Sequence, residues 1–312
     1  MGIAFLAKPT FSFYINVVMR SLLAILGSAV AVFAAGCTWI LEPIEQHYLF
    51  RARSSDPAQL VSVASRANGV EEVTLKTPDG VTLHGWLKHP LARSGQRFPL
   101  VIVFGGVRRE TSWMIDRGDK PARWGWLFIN YRGYGLSGGE PSERLLLEDA
   151  SFIYDYAATR PDVDPSNIVP LGRSLGTYFA AALAKSRPAR GAILATPFDS
   201  FAALGAERYP WLPVGLLING RYDAAAMAPT IKAPALFVLA EHDYVTPPER
   251  GATLARLWGG PQRTVTLMGA GHYGIERRDD FWNAVGDFLR EIEATPPRRQ
   301  VYAVEAGSRP SN

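Results

Sequence analysis

Apolar positions in the first part of the chain are continuous: Ser21 to Leu41 carries no charge and is almost wholly apolar, long enough to cross a bilayer as a helix. Alternation follows. Val70-Glu71-Glu72-Val73-Thr74-Leu75 and Val81-Thr82-Leu83-His84-Gly85-Trp86-Leu87 alternate apolar and polar residues around Pro78-Asp79-Gly80, which is tight-turn chemistry, and predict a hairpin. Beyond it, apolar runs recur with helix-sized segments between them: Leu100 to Phe104, Trp126 to Ile129, Ile168 to Leu171, Ala192 to Ala195, Ala235 to Ala240 and Thr264 to Met268. That alternation predicts an α/β fold, a parallel sheet covered by helices on both faces. Leu146, Ala150, Ile153, Tyr154 and Ala157 keep helical spacing, as do Phe281, Val285, Phe288 and Leu289. The organisation expected is an anchor or signal over residues 1–41, a tether over 42–69, one α/β domain over 70–293 and a disordered tail over 294–312, where Pro, Arg and small polar residues accumulate.

Composition removes several function classes. The formal charge of +4 is spread without a basic run interleaved with aromatics, so nucleic-acid binding has no support. A single cysteine, Cys37, excludes an internal disulfide and a Cys-type metal cluster, and no metal or cofactor is expected. The apolar segment has two readings, a retained membrane helix or a secretory signal cut before Cys37. In the second, Phe33-Ala34-Ala35-Gly36-Cys37 resembles a bacterial lipoprotein signal, with Ala34 where a larger aliphatic residue is more usual. Lipidation of Cys37 would place the protein at the bacterial cell envelope, facing the periplasm or the exterior. Met1 to Asn16 makes an unusually long n-region, whereas a start at Met19 gives ordinary signal-peptide anatomy, so Met19 is the expected initiator.

Chemistry concentrates in Gly172-Arg173-Ser174-Leu175-Gly176, which sets a serine between two glycines where the apolar run Asn167 to Leu171 meets the helical Tyr178 to Ala184. A nucleophile elbow needs that context, because its strained strand-to-helix turn leaves no room for side chains two residues either way. Gly135-Leu136-Ser137-Gly138-Gly139 satisfies the same pattern but lacks a strand before it and a helix after it, so Ser137 reads as a loop serine. An attacking serine needs a base, and the base an orienting acid. His272, in Gly269-Ala270-Gly271-His272-Tyr273, follows the last apolar run, at the sheet edge where sites form. His84 and His89 belong to the hairpin and His47 to the tether. Of the neighbours His242 and Asp243, which rarely point the same way, Asp243 is the expected acid, with Asp199 as runner-up. His272 must be neutral to take the serine proton, so activity should fall in acid. Two backbone N–H donors should receive the oxyanion: Leu175, and Val107 after Gly105-Gly106.

With these residues the chain resembles the α/β-hydrolase superfamily, and within it the Bem46-like or ABHD13-like branch, from about Val70 to Leu289. The resemblance also rests on Asn130-Tyr131-Arg132-Gly133-Tyr134-Gly135, Gly139-Glu140-Pro141-Ser142, Tyr209-Pro210-Trp211-Leu212-Pro213-Val214 and Gly269-Ala270-Gly271-His272. It implies an eight-stranded, mostly parallel sheet, a triad of Ser174, Asp243 and His272, and only a short insertion between Pro197 and Pro234 in place of a lid domain. Val107 stands where the branch usually has Asn, and Arg108 and Arg109 after it would favour an anionic substrate group near the mouth. The expected function is a membrane-tethered serine hydrolase cleaving small or lipid-like carboxylic esters or thioesters. A peptidase or amidase with the same triad, and a binding protein that keeps the fold without catalysis, are the alternatives; Trp211, Leu212, Val214 and Leu216 to Ile218 would line an acyl pocket, touch the bilayer or pack on the core.

Overall fold

Successive residues of one strand, Leu100, Ile102 and Phe104 against Val101 and Val103, enter two separate hydrophobic layers, which is how a continuous apolar run becomes a strand buried on both faces. The computed structural model describes residues 69–91, 97–107, 110–117, 122–211, 214 and 222–296. The expected anchor with Met19 and Cys37, nearly all of the tether, Arg108, Arg109 and most of the tail lie outside the described residues.

The strands are β1 (Val70–Lys76), β2 (Thr82–Lys88), β3 (Phe98–Phe104), β4 (Gly125–Ile129), β5 (Val163–Arg173), β6 (Ala192–Ala195), β7 (Ala235–Ala240) and β8 (Gln262–Leu267). They form an eight-stranded sheet in the order β1-β2-β4-β3-β5-β6-β7-β8. Both antiparallel pairings involve β2, and every other pairing is parallel. After β3 the chain turns outward to β4, then returns across β3 to β5. The loops that leave β3 and β5 therefore diverge at a topological switch point, where a crevice opens at the carboxyl edge.

Helices cover the two faces: α1 (Glu143–Thr159), α2 (Gly176–Ser186), α3 (Phe201–Arg208), α4 (Ala224–Met227), α5 (Pro248–Leu257) and α6 (Asp279–Ala294). α1 starts where the Ser142 hydroxyl accepts from the Leu145 N–H, and it ends at Arg160, before Pro161. Leu146, Ala150, Ile153, Tyr154 and Ala157 form its buried stripe, and α6 buries Phe281, Val285, Phe288 and Leu289 on the opposite face of the sheet.

Three elements differ from the sequence pattern. β2 is buried on both faces, His84 and Lys88 included, because it is paired on both sides and Met114 and Ile115 pack with Trp86 over one face. The Lys88 ammonium meets this burial by donating to the Ile115 carbonyl at 2.8 Å. β5 begins earlier than its apolar run, at Val163, and its register against β3 shifts before Leu100 pairs with Ile168. The intervening bulge is polar, closed by Asp164 accepting from the Ser166 and Asn167 side chains, so hydrophobicity does not reveal it. β8 ends at Leu267, and Met268 turns outward to 63% exposure ahead of the left-handed Gly269.

Candidate active site

The tightest backbone approach in this part of the fold lies at Gly172 and Gly176. A Cβ on Gly172 would stand 2.2 Å from the Gly176 carbonyl oxygen, and one on Gly176 would stand 2.1 Å from the Phe104 carbonyl oxygen. Only glycine fits either place, and β5 is thereby allowed to turn directly into α2. Between them Ser174 adopts φ +52°, a left-handed conformation that costs a non-glycine residue about 1–3 kcal/mol. Two backbone bonds hold it there: the Ser174 N–H donates to Ala195 at 2.9 Å, and the Ser174 carbonyl accepts from Thr177 at 3.0 Å. Ser137 has no such setting. Its hydroxyl accepts from the His84 N–H and donates to the Asn130 carbonyl, which ties the β4 loop to β2.

The loop after β3 lies against this turn, a Cβ on Gly106 standing 3.6 Å from that of Ser174. Two buried tyrosines support it, Tyr131 donating to the Gly105 carbonyl and Tyr134 to the Val107 carbonyl, both at 2.8 Å. Burial pushes both phenols well above their ordinary range, so they remain protonated donors at any physiological pH. Leu175 opens α2 without a side-chain cap, and in that first turn the Thr177 and Tyr178 N–H groups donate back to the Ser174 and Leu175 carbonyls.

At the neighbouring strand ends, His272 Nδ1 lies 2.8 and 3.0 Å from the two carboxylate oxygens of Asp243, with both side chains almost wholly buried. A carboxylate only accepts, so Nδ1 carries the proton and Nε2 is left as the acceptor. Asp243 also accepts from the Val245 and Thr246 N–H groups and the Thr246 hydroxyl. Burial opposes its charge, but the His272 ring and these donors outweigh burial and hold the carboxyl below the ordinary range. The Thr246 hydroxyl also lies 3.1 Å from the Thr196 carbonyl, so its single proton serves either that oxygen or Asp243, and its oxygen lies 3.2 Å from the protonated His272 Nδ1.

Ser174 and His272 are linked through Arg173, whose Nη2 donates to the His272 carbonyl at 2.7 Å; no hydrogen bond joins Ser174 Oγ to His272 among the described residues. Catalytic hydrogen bonds are commonly long without a ligand. Asp199 is engaged elsewhere, accepting from Arg250 and from the Ser200 N–H, and the His242 side chain points to solvent at 71% exposure. Thr246, Tyr131 and Tyr134 were not singled out as supports from sequence. The Asp243-to-Thr246 spacing of an Asx-type turn was a readable signal for the first, whereas the tyrosine contacts required the tertiary fold. Of the apolar insertion residues, Val214 is buried against Gly205 and Trp211 is 77% exposed, while Leu212 and Leu216 to Ile218 lie outside the described residues. Among the described residues no group of three or more His, Cys, Asp or Glu side chains is placed to hold a metal ion.

No family model matches the chain. It is 32% identical over 267 residues to the uncharacterised protein Rv2307c of Mycobacterium tuberculosis, covering 84% of this chain and 93% of that protein. It is 27% identical over 197 residues to the alpha/beta hydrolase domain-containing protein WAV2 of Arabidopsis thaliana, covering 57% of this chain and 63% of that one. With protein bem46 of Schizosaccharomyces pombe it shares 26% identity over 252 residues, covering 73% and 79% of the two chains. Among solved structures, an alpha-beta hydrolase from Vibrio vulnificus superposes with a TM-score of 0.60 at 23% identity, covering 78% of this chain and 88% of that one. Est1E from Butyrivibrio proteoclasticus, solved with ferulic acid bound, gives 0.61 at 18% identity and covers 72% and 100%. At these identities the solved structures bear on the fold alone.

Proposed function

Because the chain belongs to the α/β-hydrolase family, in its Bem46-like branch, we propose that it is a serine hydrolase cleaving carboxylic esters or thioesters through an acyl intermediate on Ser174. The observation that carries the reading is the left-handed Ser174 between two glycines that admit no Cβ, with the Asp243–His272 pair on adjoining loops. His272 Nε2 takes the hydroxyl proton as Ser174 Oγ adds to the acyl carbon. Asp243 holds the ring in the tautomer this needs and stabilises the imidazolium that forms. The Val107 and Leu175 N–H groups receive the oxyanion, each worth on the order of a hundredfold in rate. The imidazolium then protonates the leaving alkoxide or thiolate, and water, activated by the same ring, releases the acid and restores Ser174.

The ester-level reading draws support from neighbours such as Est1E and an acetyl xylan esterase from Paenibacillus, which share the fold. Attack on an amide would use the same residues. The membrane tether belongs to the proposal through the uncharged Ser21 to Leu41, with Cys37 as the lipidation site and the cell envelope as location. Among the described residues no helix is long and apolar enough to cross a membrane.

A fluorophosphonate probe tests the nucleophile. Labelling of the folded chain that disappears in Ser174→Ala is the expected result, and unlabelled folded protein favours a binding role instead. Among labelled enzymes, p-nitrophenyl esters of increasing chain length then measure the acyl pocket. Metabolic labelling with an alkynyl fatty acid, lost in Cys37→Ser, tests the lipid anchor.

A further inference from the structure

The residue between the first glycine and the nucleophile is a cation, Arg173, and its side chain is only 11% exposed. A buried guanidinium is costly unless it is paired, and its partners here are informative. One Nη2 hydrogen goes to the His272 carbonyl, and Nε is in ion-pair contact with Glu276, whose side chain is 1% exposed. Glu276 lies in the 3-10 turn Ile275–Arg277 that follows the His272 loop, and its own carbonyl accepts from the Trp282 indole of α6. The guanidinium also lies 5.8 Å from the Tyr273 ring centroid. On the other side, a Cβ on Gly106 would stand 3.1 Å from Arg173 Nη1, so the oxyanion loop passes against the same group.

We propose that Arg173 is a positioning residue that fixes the spacing between Ser174 and His272, an inference that rests on the serine-hydrolase reading. The two residues stand on different loops, and among the described residues the other hydrogen bonds to His272 are at its ring, with Asp243 and Thr246. Ring contacts set which nitrogen faces the nucleophile, but they leave the loop free to move with the Asp243 loop. Arg173 adds a backbone anchor at His272 and a second anchor four residues on, at Glu276, from a base covalently next to Ser174. Both of these contacts are to protein groups on the His272 side of the site. Lysine would keep the ion pair with Glu276, but a single ammonium lacks the planar fork that reaches both anchors.

The test is steady-state turnover of p-nitrophenyl acetate, with fluorophosphonate labelling and thermal unfolding, on the full chain as wild type, Arg173→Ala and Arg173→Lys. Loss of about an ångström of registration lowers turnover by about tenfold to a hundredfold, so kcat should fall in that range for Arg173→Ala while KM stays within about twofold. Arg173→Lys should keep the unfolding midpoint of the wild type and still lose about tenfold in kcat, which a role in stability alone would not produce. Full activity in either variant, or a loss carried by KM, overturns the inference while leaving Ser174 as nucleophile. If Arg173→Ala fails to fold, the lysine variant decides by the same criteria. A folded wild type that neither turns over nor labels overturns the serine reading and this inference with it.

Discussion

Ser174 holds its left-handed backbone at a cost, because its Cβ clashes where glycine has none. Ser174→Gly and Ser174→Ala should both abolish labelling, yet only the glycine variant should be stabilised, by about 1 kcal/mol, or about 2–4 °C in unfolding midpoint. An alanine variant equal to it in midpoint would show that the strain is absent. Tyr134 supplies a second test. Tyr134→Phe keeps the buried ring and removes its donor to the Val107 carbonyl, loosening the loop that carries the proposed oxyanion donor. Its kcat should fall by about tenfold with KM little changed, measured on the same p-nitrophenyl ester. The sequence showed Ser174, Asp243 and His272 as candidates because each requires a residue type at a recognisable strand end. It did not show Tyr131 and Tyr134 as supports, since nothing along the chain tells where a hydroxyl will meet the Gly105 and Val107 carbonyls.

Elements meet in this fold through a few points that tolerate no change in size or charge. Gly176→Ala would drive a Cβ into the Phe104 carbonyl and separate α2 from β3, costing about 3 kcal/mol or more and reducing the folded yield, as chemical denaturation would record. Arg132 joins three elements, with bonds to Asp149 of α1 at 2.6 and 2.7 Å and to Asp79 of the β1–β2 turn at 2.6 and 3.1 Å. Burial pushes the Asp149 carboxyl up despite that partner. Arg132→Met should therefore cost about 3–5 kcal/mol at pH 7, where it leaves a buried carboxylate unpaired. The sign follows from the raised value: a group more easily protonated in the folded state favours folding at low pH, so the loss should shrink as Asp149 is neutralised. Urea unfolding of both proteins at pH 7 and pH 5 measures it, and a loss that grows in acid would contradict the account. The apolar runs and the helical stripes were legible in the sequence because burial imposes their periods. The polar bulge of β5 and the doubly buried β2 were not, since one is closed by Asp164 and the other depends on neighbours distant in sequence.

For the molecule as a whole, acid should be the destabilising direction. Arg132 holds the Asp79 carboxyl below its ordinary range, Arg160 does the same for Glu71 and Asp162, and Asp243 is lowered by His272 and Thr246 in spite of burial. Groups lowered by folding contribute fully above their unfolded values of about 3.9–4.3 and lose that contribution as pH falls through the folded ones. The urea midpoint of the wild type should thus change little from pH 8 to pH 5 and drop below about pH 4; a midpoint that rises there would refute this balance. The α/β class was legible because strand and helix patterns alternate, and the eight strands followed from the family resemblance, but the order of strands was not legible, since it depends on which loops cross β3. That crossing has a consequence for synthesis. The chain leaves β3 with one part of the site, returns with Ser174 on β5, reaches Asp243 after β7 and adds His272 only after the edge strand β8. On a ribosome, the proposed nucleophile and its proposed backbone donors emerge well before the histidine proposed to activate them, so the nascent protein would have no assembled triad until nearly all of the domain has been made.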